Sequence, residues 1–157
     1  SEFNLQSASF LDNNEHQEIK TRVNHFSPNC KSHQKVKNVL NAESKGVYQG
    51  KIFVKDIAQK TDAYQLSKAI LLSERSEFDS KPELEIYADD VKCSHGSTSG
   101  SLDEDSLHYL MTRGLNRKES TNLLIKGFLN DVVEFIKNPK IKEFVENKLE
   151  EQVNGHK

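Results

Sequence analysis

The chain has 157 residues, enough for one well-packed domain and too few for two comfortable ones. Charged residues make up 29% and the formal net charge is −2, so no global field recruits nucleic acid or an anionic membrane surface. Its longest apolar runs, 69–72 and 123–125, fall far short of the roughly 20 residues a membrane span needs, and two cysteines at unrelated spacing form no disulfide framework. The chain reads as soluble, in a reducing compartment.

The only methionine is Met111, so the sequence does not open on its own initiator, and Ser1-Glu2-Phe3 reads as a cloning remnant. Residues 4–100 read as one all-β region of a longer protein. Apolar residues there are sparse, often β-branched, and alternate, as in Ile52 and Val54 or Leu84 and Ile86. Turn-forming clusters (SPNCKS, AESKG and SERSEFDSKPE) separate them, which predicts many short strands. No alternation of strands with helices appears, which argues against a parallel sheet wrapped by helices. Val23, Val47, Leu71 and His95 recur at a constant interval in the low twenties, a period suited to a solenoid of stacked coils. Neighbouring positions follow that period poorly, so spacing alone fits a β-sandwich about as well.

The stretch DDVKCSHGSTSG, residues 89–100, holds one of the two cysteines two positions from a histidine. Side chains alternate faces along a strand, so Cys93 and His95 share a surface. Leu84, Ile86 and Ala88 occupy even positions, whereas Val91, Cys93 and His95 occupy odd ones, which predicts a bulge or corner at Asp89-Asp90. The two aspartates suit that corner by bonding nearby backbone amides rather than a metal.

Reach argues against a Cys–His nucleophile pair, since alternate side chains on an unkinked strand stand about 6.5–7 Å apart at their bases. Adding Cys30-x-x-His33 to Cys93-x-His95 gives a Cys2His2 zinc set, with spacings that match no usual zinc finger. The plain alternative is a half-buried thiol beside a polar histidine. No P-loop, dinucleotide fingerprint or helical HExxH occurs.

Residues 101–157 read as helical. Ser101 and Glu104 fit a capping box, Leu107, Leu110 and Met111 form a stripe, and Gly114 suits a left-handed terminus. A second helix begins at Asn116 with Glu119 reaching back. Its broad apolar face runs from Leu124 through Ile125, Phe128, Leu129, Val132 and Val133 to Ile136, before Asn138-Pro139. Pro139 opens a third, with Ile141, Phe144, Val145, Leu149 and Val153 at helical spacing and many charges. The stripes read as intramolecular core, and the last helix as an end that frays or docks.

ELEIYADDVKCSHGSTSGSLDEDSLHYLMTRGL resembles the signature of the SufB/SufD family of iron-sulfur cluster assembly proteins, and ADDVKCSHG has the wording of the SufD branch. VYQGKIFVKDIAQKTDAYQLSKAILLSE and HFSPNCKSHQKVKNVL are similar to preceding parts of that family, so the resemblance covers roughly residues 16 to 136. It implies a right-handed parallel β-helix followed by a C-terminal helical segment. It further implies a non-enzymatic scaffold working with a SufB-like subunit and a SufC-like ATPase, the ATPase docking on the helices. His95 is then implicated in holding the nascent iron-sulfur cluster at the SufB-like interface, with Cys93 the weaker candidate. The compartment implied is the bacterial cytoplasm, or a plastid or plastid-derived organelle. Ser97 and His108 depart from the family's usual Ala and Phe, and His108 reads as a drifted packing residue.

Two other readings remain open at this point: a purely structural subunit that positions its partners without ligating metal, and a self-contained zinc protein. Open coil ends at the start of a solenoid also predict self-association.

Overall fold

Along Lys45–Val54, residues Gly46, Tyr48, Gly50, Ile52 and Val54 are buried and those between them half-covered, the period-two mark of a strand with one face inside. The computed structural model describes residues 1–155. It contains β1 (Glu2–Leu11), β2 (His16–His25), β3 (Lys31–Leu40), β4 (Lys45–Val54), β5 (Asp62–Leu71), β6 (Glu77–Ile86) and β7 (Lys92–Gly100), then α1 (Glu104–Thr112), α2 (Arg117–Val133) and α3 (Pro139–Gly155). Odd-numbered strands form one sheet in the order β1-β3-β5-β7 and even-numbered strands another, β2-β4-β6. Every pairing is parallel. Each coil therefore gives one strand to each sheet, and the chain is a parallel β-helix of about three turns followed by helices.

The register corrects the period expected from spacing, because each coil is longer than that interval. Lys31 lies opposite Glu2, and Glu77 lies opposite Lys45. Val23 faces Ile52 rather than Val47, and His95 faces Gln65 rather than Leu71. The physical reason is strand length: one coil must hold two ten-residue strands and the two corners that join them. The strands are longer than the turn clusters suggested: Glu77–Pro82, inside SERSEFDSKPE, belongs to β6. Pro82 is tolerated because β6 is an edge strand, where a missing N–H breaks no outer ladder. Pairing also begins earlier than residue 4, with Glu2 opposite Lys31 and Phe3 opposite Ser32.

The parity change at Asp89-Asp90 is the corner between β6 and β7. Its aspartate side chains do not make it. The Lys60 N–H donates to the Asp90 carbonyl at 2.6 Å, and the Asp90 N–H donates to Gln59 Oε1 at 2.8 Å, so the adjacent coil holds the turn.

Apolar and polar residues divide the interior into zones. Ile52, Val54, Ala58, Ala63 and Ala88 form one buried cluster, and Leu11, Leu40 and Ala69 another. A third lies outside the β-helix, where Phe10 of β1 and Val39 of β3 pack with Ile125, Leu129 and Val153 of the helices. Asp131 of α2 pins this contact, pairing with Lys37 Nζ at 2.6 Å and Lys35 Nζ at 3.2 Å. Lys37 also donates to the Phe128 carbonyl and lies 4.4 Å from the centre of the Phe128 ring.

The helix caps follow the sequence with one change. Asp103, not Ser101, caps α1, accepting from the Ser106 N–H at 2.9 Å; an aspartate is as good a cap and sits one step from the first helical residue. Asn116 and Glu119 form the reciprocal box of α2, and Gly114 has φ 99°. Asn138 Oδ1 accepts from the Lys140 and Ile141 N–H groups at the start of α3. Helix α2 ends at Val133, short of Asn138-Pro139.

His25, 4% exposed at the end of β2, bonds Ser32 Oγ through Nε2 at 2.9 Å. Burial holds its pKa below the ordinary value of 6.5. The unfolded chain therefore takes up a proton that the folded chain resists, so stability is full above about pH 6.5 and falls as the pH drops towards the lower folded value. Urea titrations at pH 7.5 and 5.5 should show this loss, and His25→Gln should make the difference smaller. An unchanged pH dependence in the variant would remove His25 from the acid response.

Candidate functional site

Strand β7 ends its sheet, so one side of its backbone has no strand beyond it. In register, Cys93 lies opposite Ala63, His95 opposite Gln65 and Ser97 opposite Ser67. All three β5 partners are buried and inward-facing. Cys93, His95 and Ser97 thus continue the interior rows to the open edge, and the shared face expected of Cys93 and His95 is present.

Their surroundings differ. Cys93 is half-buried against the cluster of Ile52, Val54, Ala58, Ala63 and Ala88. Burial pushes its thiol up, the Asp62 charge adds to this, and a hydrogen bond with the Ala63 backbone opposes both. His95 is exposed, and its row neighbours are Gln65 and, one coil further in, Gln34. Gln65 accepts from Tyr48 Oη at 3.3 Å and donates to the Gly50 carbonyl at 3.3 Å. Ser97 Oγ accepts from Ser67 at 3.0 Å. The imidazole is therefore accessible as it stands, while the thiol must first leave apolar packing and lose its proton to bind a metal.

Gly96 lies flush beside them, since an added Cβ would meet Leu66 at 3.2 Å, whereas Gly100 has open space around it. Among the described residues no three His, Cys, Asp or Glu side chains gather as a metal site. The Cys2His2 zinc set is thereby overturned. His33 aligns through Tyr64 with Ser94, on the opposite face from Cys93 and His95. Cys30 lies buried in the corner before β3, 3.2 Å from Ser1 Oγ. Strand β5 stands between β3 and β7, and two strand spacings amount to about 10 Å. His108 is exposed on α1, so it packs into no core.

Sequence reasoning missed the amide row of Gln34 and Gln65 and the Lys37–Asp131 clamp. Both join residues far apart in the chain. The one available signal was a polar residue at an inward position of an alternating strand, which Gln34 and Gln65 each supply.

A parallel β-helix followed by helices, with an imidazole and a thiol on one face of its edge strand, places the chain among the repetitive β-scaffold folds. Residues 1–128 match the SufBD core domain of the SUF system for FeS cluster assembly, and the chain belongs to that family. It is 32% identical over 151 residues to the iron-sulfur cluster assembly protein SufD of Escherichia coli, covering 96% of this chain and 36% of that protein. It is 39% identical over 114 residues to a SufBD family protein of Synechocystis, covering 73% and 25%. It is 38% identical over 109 residues to the chloroplastic protein ABCI7 of Arabidopsis thaliana, covering 69% and 23%. The chain spans about a third or less of the length of these curated relatives.

Proposed function

We propose that this chain forms the ligand-bearing edge of an iron-sulfur cluster assembly scaffold in a SufB–SufC–SufD-type complex. His95 supplies a ligand to the nascent cluster, which is cargo rather than a resident cofactor, and Cys93 is auxiliary. One observation carries this reading: an exposed imidazole stands on an edge strand whose outer side is open, with a single thiol on its face and no third ligand gathered among the described residues. One imidazole and one thiolate cannot hold a cluster alone, so the set is completed across an interface by a SufB-like subunit. The free backbone of β7 offers that subunit a docking edge.

The helices suit a second partner. Tyr109, Met111, Leu123, Phe135, Ile141 and Phe144 are exposed on or beside them, apolar surface that a SufC-like ATPase would cover. Hydrolysis of ATP belongs to that subunit, and this chain is not an enzyme. The setting is the bacterial cytoplasm or a plastid. No helix among the described residues is long and apolar enough to cross a membrane.

His95→Ala in the longer protein, combined with SufB-like and SufC-like partners, tests the reading. The complex should assemble with normal stoichiometry, because the exposed side chain supports little packing, yet hold markedly less iron and sulfide. Cys93→Ser should lose less. A full cluster load in the His95→Ala complex would make the subunit purely structural.

A further inference from the structure

The two buried apolar clusters inside the β-helix are separated by a polar layer. Gln34 is 1% exposed, and neither its Nε2 nor its Oε1 has a hydrogen-bond partner in the protein. An amide in that position offers two donors and a carbonyl acceptor, and leaving them dry costs more than the hydrogen bonds of most side chains return. Its register neighbour Gln65 is fully buried. Tyr48, also fully buried, reaches Gln65 Oε1 at 3.3 Å and Thr21 Oγ1 at 3.5 Å, and Gln65 Nε2 reaches the Gly50 and Glu83 carbonyls at 3.3 and 3.4 Å.

These hydrogen bonds lie beyond the usual upper limits, about 3.0 Å for the hydroxyl of Tyr48 and about 3.2 Å for the amide N–H of Gln65, whereas neighbouring Ser67 and Ser80 meet at 2.7 Å. Such slack, next to an amide with unused donors and acceptor, is where buried water is found in proteins. We propose that Gln34 binds an ordered internal water in the polar layer it shares with Gln65 and Tyr48. The ligand is a small neutral molecule that both donates and accepts, which water satisfies and an ion does not, since the amides and the phenol that form the layer carry no charge to balance one. This inference stands independently of the role assigned to His95.

The test uses the 157-residue chain and water itself as the probe. Magnetic relaxation dispersion of solvent nuclei counts waters that stay longer than the protein takes to tumble. Wild type should hold at least one more such water than Gln34→Met, which keeps the volume and removes the amide. Equal counts overturn the proposal. If Gln34→Met does not fold, a high-resolution crystal structure of wild type decides. Density within hydrogen-bond distance of both Gln34 amide atoms supports the site, and a dry amide there refutes it.

Discussion

Leu129→Ala should destabilise the chain by about 2–5 kcal/mol in urea denaturation, the range for a buried leucine whose cavity cannot collapse. Leu129 is 1% exposed where α2 meets the sheet, packed with Phe10, Val39, Ile125 and Val153 and bordered by Phe128 and Leu149. Those residues come from β1, β3, α2 and α3, so a shift large enough to fill the void would have to move both strands and helices together. Hydrogen exchange should quicken first in α2 and α3. The amides of β4, which lies in the other sheet, should change least. A loss below about 1 kcal/mol would show that this apolar contact does not seat the helices on the β-helix. In that case the Lys37–Asp131 pair, and not the apolar contact, would be what holds them.

Gly50→Ala is the second expected large effect. An added Cβ would stand 2.3 Å from Tyr48 Oη, 2.4 Å from Gln65 Oε1 and 2.7 Å from Tyr48 Cζ. Those atoms are side-chain ends, but both side chains are fully buried and bonded to each other, so swinging aside breaks that hydrogen bond. Overpacking of this kind costs about 1–3 kcal/mol, and displacing Tyr48 from Gln65 forfeits about 1 kcal/mol more. Gly46→Ala is the matched control on the same strand. Its closest contact, Leu40 Cδ2 at 3.2 Å, needs only a few tenths of an ångström of relief. Tyr48→Phe should recover part of the Gly50→Ala loss by removing the nearest atom. Equal Tm values for Gly50→Ala and wild type would mean that Tyr48 does not fold over Gly50.

Much of this protein was legible without coordinates. Period-two alternation marked strands such as β4, the capping pair Asn116 and Glu119 marked the start of α2, Pro139 that of α3, and the parity change at Asp89-Asp90 marked a corner, because each signal depends on residues within a few positions of one another. The pairing of Cys93 with His95 on one face was legible for the same reason. Alternation, however, gives the direction of a side chain and not the identity of its neighbour. The length of a coil depends on where its corners close, and a corner such as Asp90 against Gln59 and Lys60 is held by the adjacent coil. The zinc set failed on the same ground, since Cys30 and His33 have suitable chemistry but lie two strands away and, for His33, on the other face. Local sequence alone determined that this chain is built of half-buried strands followed by amphipathic helices, and that one strand carries a thiol and an imidazole together. Only the tertiary structure decided that the thiol is pressed into an apolar cluster while the imidazole stands open on an edge, because burial is set by strands a full coil away in the chain, stacked at a register no short window of sequence contains.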